Sequence, residues 1–526
     1  MADAAISLLV NRLAQVVEEN ATLILGIRDH VEELVSDLNS FQAILKQASK
    51  HESSNDNDVL RDVVDKIRSV VNEAEDAIDK YLVDTRKHKS KGTVMRYLDK
   101  VAYYSKASDA AKQIDAIKGR VAKIRKDHDS GLRELQRDPN EAQLFLQRKA
   151  PVVEEDDVVG FDEEAKTIKD HKKPSGENIR SFLSSSSKEV EVSNEFWTTI
   201  PKAFPTLRVL DIEYLKFQVL SKEFYHLYYL RYLAISTDLK ILPKQFNNLW
   251  NMQTLVFKTS QNTIEVKADI WSLTKLRHVL INASAQLPPP SKSSKPSSLA
   301  MDLQTLSTIS PSSCTEEIFA RIPNLQKLGI RGNLSELLES RGGSCLFDNI
   351  RSLDHLENLK LLHDASIGQA SKLRSIPRAE KFPRKLRKLT LSSTSFEWKD
   401  MYILGSLEEL EILKLEENAF RGEFLDLSNV SFKHLQLLRM GRTDLVSWTA
   451  SKNSFPVLKY LHLRHCANLD AVPPAFAEIE SLRVVELFCT NTRAAISARE
   501  IFKQKQEKEN TERSGTFVFS IYPPDQ

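Results

Sequence analysis

Apolar residues follow a helical spacing over residues 1–137 of this chain. Four stripes of apolar residues, separated by three or four positions, centre on Leu9, Leu38, Ile67 and Ile117. Breaks at Gly26, at 51–58 and at 90–92 separate the stripes, and proline is absent from this part of the chain. Each amphipathic helix needs a partner to cover its apolar stripe, so the pattern predicts an all-α four-helix bundle.

From about residue 204 the apolar spacing changes to a repeated L-x-x-L-x-L pattern. The units are mostly 22 to 25 residues apart, a period typical of leucine-rich repeats. One unit cannot bury its leucines alone, so stacked strands are expected to share one core in an α/β solenoid. The twelve units begin at Leu207, Leu230, Met252, Leu276, Leu303, Leu325, Leu356, Leu386, Leu410, Leu435, Leu458 and Leu482.

The repeat array is irregular. The copy at Leu303 is slipped, and longer spacings after Leu276 and Leu325 indicate inserted loops, one of them the Pro/Ser-rich run Leu287–Ser298. Pro174 and the serine run 184–187 are typical of a linker. We therefore expect four parts, with Phe517–Ile521 as a cap on the last repeat: a bundle at 1–137, a linker at 138–200, repeats at 201–495 and a charged tail at 496–526.

Charge and cysteine content exclude several classes of function and indicate a cellular compartment. The formal net charge of +2 gives no general case for binding nucleic acid or membranes. The four cysteines form no CxxC pair, which favours free thiols in a reducing cytosol over a zinc site or disulfides. The N-terminus lacks a basic segment before its apolar run, so it is not expected to be a signal peptide. A cytoplasmic location is the default expectation.

Inside the bundle segment, charge is uneven. Residues 1–85 carry about nine more acids than bases, and residues 86–137 carry about nine more bases than acids. The last helix can therefore lie against acidic neighbours, although solvated charged faces are the alternative.

Three local motifs give the chain a family resemblance. Met1–Leu13 resembles the "MADA" helix, Glu75-Asp76-Ala77-Ile78-Asp79 resembles the acidic "EDVID" motif, and Val158–Asp162 resembles the entry to a nucleotide-binding domain. With the repeats, these motifs resemble coiled-coil-type plant nucleotide-binding leucine-rich-repeat receptors with an Rx-type N-terminal domain, near the late-blight-resistance group. The resemblance implies disease resistance, effector recognition and the hypersensitive response.

The sequence departs from that family after Ile168. It runs through Pro174 into residues 178–183, which resemble the lead-in to the repeats, and no G-x-x-x-x-G-K-[ST] motif occurs in the chain. The glycine-rich cradle and the lysine that hold ATP phosphates are therefore missing. We expect no nucleotide cofactor and no ADP/ATP switch, whether through splicing, deletion or an error in the gene structure.

The resemblance also suggests roles for the first helix. In the family this helix is released on activation, and several copies assemble into a membrane-inserted pore. The residues that would meet lipid or neighbouring helices are Ile6, Leu9, Val10, Leu13 and Val17. Packing inside a resting bundle is the alternative, and both states can hold at different times.

The acidic motif has candidate partners in the repeats. Arg208, Arg231 and Arg277 each follow the first leucine of a unit, and Gln253 interrupts this series. Stacked strands lie about 4.8 Å apart, so these arginines are expected to form a ladder. The resemblance implies that Glu75, Asp76 and Asp79 dock on such a cluster, where arginine can pair with carboxylates in two-pronged geometry.

A second basic series falls on strand positions that face outward on the concave side. Its residues recur unit after unit until Glu486 ends the series: Lys360, Lys388, Lys414, Arg439 and His462. The series suggests an acidic protein partner or an acidic segment of this chain, and a solvated face is the alternative.

No enzyme motif is evident. His462, His465 and Cys466 lie close in sequence, but one strand would place them on different faces, so neither a metal nor a thiol–imidazole site is expected. The leading hypothesis is an immune protein that binds a pathogen effector, a guarded host protein or other receptors, with possible self-association of the bundle. The alternative is a decoy or dominant-negative scaffold that does not signal. Membrane contact, at the periphery of the plasma membrane, is expected only on activation.

Overall fold

The computed structural model describes residues 27–48, 57–90, 100–134, 179–184, 190–191, 194–217, 220–290, 302–339, 345–364, 373, 375–512 and 517–522. Contacts between residues divide the chain into two compact units, Met1–Phe161 and Asp162–Gln526. The first unit is helical and the second is built on one large parallel sheet.

The described part of the first unit consists of three helices, α1 (Arg28–Ala48), α2 (Asn57–Ser90) and α3 (Lys100–Glu134). Helix α3 contacts both α1 and α2. The buried residues recur at intervals of three or four, as the stripes predicted, and include Val31, Leu34 and Leu38 of α1, Val70, Ala74 and Ile78 of α2, and Ile114, Ile117 and Val121 of α3. The predicted first helix lies outside the described residues.

Ion pairs join α3 to the two acidic helices. Lys118 pairs with Glu33 of α1, and Arg120 pairs with Glu73 of α2, with 3.0 Å between Arg120 Nη1 and Glu73 Oε1. Lys106 Nζ lies 3.0 Å from Asp84 Oδ1. The basic helix therefore lies beside acidic neighbours, as the charge pattern predicted. These pairs are largely exposed, so each adds little stability.

The second unit contains twenty-two described strands, which run in parallel wherever they pair. They are β1 Ser181–Leu183, β2 Val190–Glu191, β3 Val209–Phe217, β4 Tyr232–Thr237, β5 Ile241–Leu242, β6 Thr254–Lys258, β7 Thr263–Val266, β8 His278–Ile281, β9 Ser284–Gln286, β10 Thr305–Ile309, β11 Lys327–Gly332, β12 Asn358–His363, β13 Lys388–Ser392, β14 Phe396–Glu397, β15 Ile412–Glu416, β16 Phe420–Arg421, β17 Phe424–Asp426, β18 Leu437–Gly441, β19 Ser447–Thr449, β20 Tyr460–Arg464, β21 Val484–Phe488 and β22 Val518–Tyr522. The helices are α4 Asn194–Ala203, α5 Glu316–Phe319, α6 Ser335–Leu338, α7 Met401–Gly405 and α8 Thr492–Glu512.

Every predicted repeat unit supplies one strand of the main sheet, two residues after its first leucine. In the unit at Leu458, the three pattern leucines Leu458, Leu461 and Leu463 are fully buried and strand β20 starts at Tyr460. Residues between the buried ones point to the open face of the sheet, because side chains alternate along a strand. We call this open face the concave face. The predicted solenoid is therefore confirmed.

The sheet begins earlier and ends later than the predicted repeat boundaries. Strand β1 pairs with β3, with Ser181 opposite Val209, and Trp197 of α4 is fully buried with its ring 4.1 Å from that of Phe217. The described residues 181–184 and 194–203 are thus not linker, because Phe182 and Trp197 are buried in the core of this unit. At the other end, α8 buries Ile501 and β22 pairs with β21 as the expected cap.

The slipped copy at Leu303 folds as a β-bulge. Ser307 and Thr308 of β10 both lie opposite Gly329 of β11, where the pairing register shifts. The side-chain hydroxyl of Ser307 donates to the Ile281 carbonyl at 2.7 Å, and that of Thr308 donates to the Ala283 carbonyl at 2.8 Å. These bonds replace sheet bonds that the extra residue interrupts. A Cβ at Gly329 would collide with the Ser307 carbonyl oxygen, so only glycine fits there.

Left-handed turns follow five consecutive strands of the later repeats. The residue after each of β13, β15, β18, β20 and β21 has a φ between 44° and 57°; these residues are Ser393, Glu417, Arg442, His465 and Cys489. Their conformation costs a residue other than glycine about 1–2 kcal/mol. Backbone bonds to the next strand, such as Arg442 N to Arg464 O at 2.9 Å, hold the turns in place.

Candidate functional site

The predicted arginine ladder occupies one column of the sheet, just ahead of the strands. The Arg208 carbonyl accepts hydrogen bonds from the amides of Arg231 at 2.8 Å and Tyr232 at 3.0 Å. The same doubled bond connects Arg231 to Gln253 and Gln253 to Arg277. The structure therefore places the three predicted arginines in one column, with Gln253 between two of them. Arg208 is 8% exposed, whereas Arg231 and Arg277 are half-buried.

Arg180 extends this column by one position, which sequence reasoning missed. The amide of Arg208 bonds to the Arg180 carbonyl at 2.7 Å, in the same way as the later members of the column. The sequence signal was present but short: Ile179-Arg180-Ser181-Phe182 has the apolar–Arg–x–apolar start of a repeat unit. These residues resemble a lead-in to the repeats, but the serines that follow kept Arg180 from being counted as a member of the ladder.

The acidic motif lies on α2, in the other compact unit. Asp79 is 2% exposed and Asp76 is half-buried, while the side chain of Glu75 lies outside the described residues. The residues of the motif and the arginine column are thus each placed, but in different units. Their docking stays a prediction.

The basic series on the concave face forms a column with one exception. Pairing register places Lys360, Thr390, Lys414, Arg439, His462 and Glu486 opposite one another in successive strands. Lys388 lies two residues earlier in its strand, opposite Asn358 and Ile412, so it belongs to the neighbouring column. The basic column, as we call Lys360, Lys414, Arg439 and His462, is therefore interrupted by a buried threonine.

Lys414 sits in the middle of this charge. It is half-buried, and burial lowers the pKa of its ammonium; the positive charges of Lys388 and Arg439 lower that pKa further, while the charge of Glu416 opposes this change. Among the residues that the structure describes, no carboxylate oxygen lies within 4 Å of the amino groups of Lys360, Lys388 or Lys414. The middle of the column therefore presents cations without an acidic partner in the described part of the repeats.

The last two residues of the basic column, Arg439 and His462, are partly neutralised by carboxylates. Arg439 Nε lies 3.5 Å from Glu416 Oε1, and His462 Nδ1 lies 3.6 Å from Glu486 Oε2. Burial lowers the pKa of His462, and the charge of Glu486 opposes this change. Arg439 Nε and His462 Nε2 are both buried and have no hydrogen-bond partner among the described residues.

His465 and Cys466 do not join His462 in a site. Cys466 is fully buried, its Sγ is 3.5 Å from the Arg464 carbonyl, and burial raises the pKa of its thiol to about 12. The His465 ring packs against Phe488 with 5.3 Å between centroids. In the described residues, no group of three or more His, Cys, Asp and Glu side chains is arranged to hold a metal ion.

The first-helix residues named from the sequence all lie outside the described residues: Ile6, Leu9, Val10, Leu13 and Val17. Their proposed contact with lipid or neighbouring helices stays a prediction. Within the described ranges, none of the helices combines the length and apolar character needed to cross a membrane.

Two family models match this chain. The model of the Rx N-terminal domain matches residues 5–135, and the model of a leucine-rich repeat region matches residues 178–511. The two matches correspond to the helical unit and to the sheet unit with its helices.

Curated relatives come from Solanum demissum. Over 327 residues the chain is 31% identical to a putative late blight resistance protein homolog, an alignment that covers 59% of this chain and 39% of that protein. Over 325 residues it is 29% identical to the late blight resistance protein R1-A, covering 59% of this chain and 23% of that protein. The chain thus spans well under half the length of both relatives.

Solved structures of repeat receptors resemble the chain only weakly. The plant peptide hormone receptor RGFR1 in complex with RGF2 has a TM-score of 0.37 at 15% identity, covering 66% of this chain and 51% of that one. The leucine-rich repeat domain of APL1B has a TM-score of 0.31 at 14% identity, covering 70% and 94%. Likeness at this level carries no argument about ligands.

Proposed function

This chain belongs to the leucine-rich-repeat family as an Rx-type plant disease resistance protein, and from that premise we propose that it recognises a protein partner and signals in defence. The partner is a pathogen effector, a guarded host protein or another immune receptor, bound through the concave face of the repeats. The response is the hypersensitive response, and the protein acts by binding, without catalysis.

The observation that carries this proposal is the basic column. Its members face the open side of a parallel sheet, where the repeats expose side chains for recognition. Lys414 is half-buried and is repelled by Lys388 and Arg439, a repulsion that Glu416 offsets only in part, which opposes folding. Such an arrangement is typical of a binding surface, since an anionic partner relieves the repulsion.

We further propose that the chain acts without an ADP/ATP switch of its own. The sequence support is the missing phosphate-binding motif between Ile168 and the repeats. Without that switch, activation depends on the helical unit or on another receptor. The protein is then cytoplasmic at rest, and it meets the plasma membrane peripherally once the first helix is released.

The same missing motif supports a second function, that of a decoy. A chain that keeps the helical unit and the repeats can occupy the partners of full-length receptors. It then lowers their signalling in place of starting its own.

Transient expression in leaves tests the two functions. We expect the intact chain to cause cell death and the double variant Leu9→Glu/Leu13→Glu to cause none, because charges on the apolar stripe block membrane contact. Asn11→Glu/Gln15→Glu adds the same charge at polar positions of the same segment and is the matched control; it should leave death unchanged.

No death from a chain that accumulates normally would overturn the signalling proposal. Reduced death when the chain is expressed with an active full-length receptor would then support the decoy. Equal loss of death in the control variant would overturn the role assigned to the apolar stripe.

A further inference from the structure

A column of apolar side chains runs beside the basic column on the concave face. Register places its members opposite one another in five successive strands: Ile412, Leu437, Tyr460, Val484 and Val518. Tyr460 is 41% exposed and Val518 is 50% exposed, and the other three are half-exposed. Five neighbouring apolar residues on an open sheet face form a contiguous stripe, a feature that marks interaction sites.

The apolar column and the basic column form one surface. Three of the five apolar residues lie two positions before a basic-column residue in the same strand: Ile412 accompanies Lys414, Leu437 accompanies Arg439 and Tyr460 accompanies His462. Val484 and Val518 accompany Glu486 and Ser520. Residues two apart in a strand point the same way and lie about 6.6 Å apart. The surface thus has an apolar edge over five strands and, beside its first three strands, a basic edge whose Arg439 and His462 are paired with Glu416 and Glu486.

The apolar column begins in β15, and the same position is polar in the two strands before it. Asn358 and Lys388 hold the same position in the two preceding strands. The change to apolar residues at Ile412 coincides with the most crowded cation, Lys414. The apolar and basic columns therefore lie side by side in β15, β18 and β20.

We propose that this surface binds an amphipathic acidic helix of a partner protein. The proposal rests on the function proposed above, since it specifies the partner of the concave face. The partner helix lies across the strands, with apolar side chains on the apolar column and carboxylates on Lys414 and the cations beside it.

Dimensions favour a helix over an extended segment. Successive strands lie about 4.8 Å apart, and a helix presents one residue to a given side every 5.4 Å, whereas an extended segment does so only about every 6.7 Å. The four intervals from Ile412 to Val518 span about 19 Å, which corresponds to roughly 13 helical residues.

Charge and polarity separate this ligand from a nucleic acid. Nucleic acids bind through many phosphate contacts on strongly basic surfaces, whereas this chain has a net charge of +2 and an apolar edge to cover. Helix-in-groove recognition uses apolar anchors at helical spacing, which the apolar column accommodates.

The test uses the purified full chain and a fluorescein-labelled synthetic helical peptide of about 14 residues, with leucines on one edge and glutamates on the adjacent edge. Fluorescence anisotropy should show binding that weakens with salt, because the carboxylates contribute. A peptide with Gln in place of every Glu, and one with Ala in place of every Leu, should each bind at least about tenfold more weakly.

Two protein variants locate the site, each with a matched control. Lys414→Glu and Val518→Ser should each weaken binding by about tenfold. Lys433→Glu and Val457→Ser make the same changes at exposed positions outside the strands and should leave binding within about twofold. Circular dichroism of all four variants verifies that they are folded.

Equal binding of the Glu and Gln peptides, or equal loss in the variants and their controls, would overturn the proposal. So would competition by a single-stranded oligonucleotide as effective as the unlabelled peptide. Tighter peptide binding after Glu154, Glu155, Asp156 and Asp157 are all neutralised would show that this chain's own acidic segment is the occupant. Self-association abolished by Val518→Ser would indicate a second copy instead.

The peptide result is independent of cell death. Peptide binding with no leaf response would leave this inference intact and overturn only the signalling function. Cell death without peptide binding would overturn this inference and leave the signalling function intact.

Discussion

The early and late repeats share one backbone but place their charge differently. At the position that holds Lys414 in the late repeats, the early strands carry Asp211, Ala234, Val256 and Leu280. In the column ahead of the strands both halves carry cations: the early repeats carry Arg208, Arg231 and Arg277, and the late repeats carry Lys459, Arg483 and Arg387, the last paired with Glu411 at 2.6 Å between Nη2 and Oε1.

This difference shows that the repeat core leaves two columns free to vary. The buried leucines fix the sheet, and most members of both columns lie outside that core, although Ala234, Arg208 and Thr390 are buried. One solenoid therefore carries an arginine column ahead of the early strands and a separate basic column within the late strands.

The largest expected effect comes from removing one buried aromatic ring from the core of the early repeats or of the late repeats. Phe455 and Phe257 are both fully buried, and Phe455 stacks on Phe432 with 5.3 Å between ring centroids. Replacing either with alanine should cost about 3–5 kcal/mol in the free energy of unfolding. Because each repeat contacts only its neighbours, hydrogen exchange should accelerate around β20 for Phe455→Ala and around β6 for Phe257→Ala. Equal acceleration across the whole sheet in both variants would contradict this separation.

The next effect concerns the bulge between the halves. Gly329→Ala should lower the free energy of unfolding by about 2–3 kcal/mol, because the new Cβ collides with the Ser307 carbonyl. Gly441→Ala is the control: its Cβ would lie 3.9 Å from the nearest atoms, so it should be neutral or slightly stabilising. Urea denaturation measures both variants. A Gly329→Ala protein as stable as the control would mean that the bulge relaxes easily.

A smaller effect tests the arginine column. Reversing one charge, Arg231→Glu or Asp76→Arg, should weaken the predicted docking of α2 by about 2 kcal/mol, and combining both should restore it. Hydrogen exchange of α2 in the full chain is the measurement. Arg483→Glu, in the same column of the late repeats, should leave α2 unchanged. Failure of the double variant to recover would remove the support for this docking.

The smallest effect is a pH dependence in the late repeats. Burial holds the pKa of His462 below its ordinary 6.5, so the unfolded chain binds the proton more readily. The neutral ring contributes its full stability above about pH 6.5, and this contribution falls as the pH drops below that value. Between about pH 7.5 and about pH 5.5, His462→Gln should reduce the loss by about 0.5 kcal/mol.

Glu486→Gln sharpens this last test. The charge of Glu486 opposes the lowered pKa of His462, so its removal should make the loss at low pH steeper. Urea midpoints at the two pH values give the comparison. An unchanged pH dependence in both variants would show that His462 titrates alike in the folded and unfolded chain.

The sheet was predictable because its determinants are local and repeated. A leucine pattern such as Leu458–Leu461–Leu463 fixes which side chains are buried, and from that follow the strand and the face of every intervening residue. The bulge was also visible, as a pattern that arrives one residue out of step at Leu303.

Finer features of the candidate site were harder to predict from the sequence. Lys388 lies two positions before the basic-column position in its strand, so it can be told apart from Lys360 and Lys414 only when the units are aligned residue by residue. The same alignment would have identified the apolar column. Residues 178–183 were identified as a lead-in to the repeats, but strand β1 was not predicted, because Phe182 is its only buried residue. The left-handed turns use side chains, such as Arg442, that carry no signal for that conformation.

The ladder of doubled backbone bonds also bears on how such a gene can change. Each carbonyl of the column bonds only to the next strand, as Glu357 does to Arg387 and Lys388, and Arg387 to Glu411 and Ile412. In-frame recombination that removes residues 387–410 would bring the amide of Glu411 opposite the carbonyl of Glu357 and leave the ladder continuous. It would also delete Thr390 and set Lys360 directly beside Lys414. One recombination event can thus redraw the recognition surface while the scaffold keeps its bonding pattern.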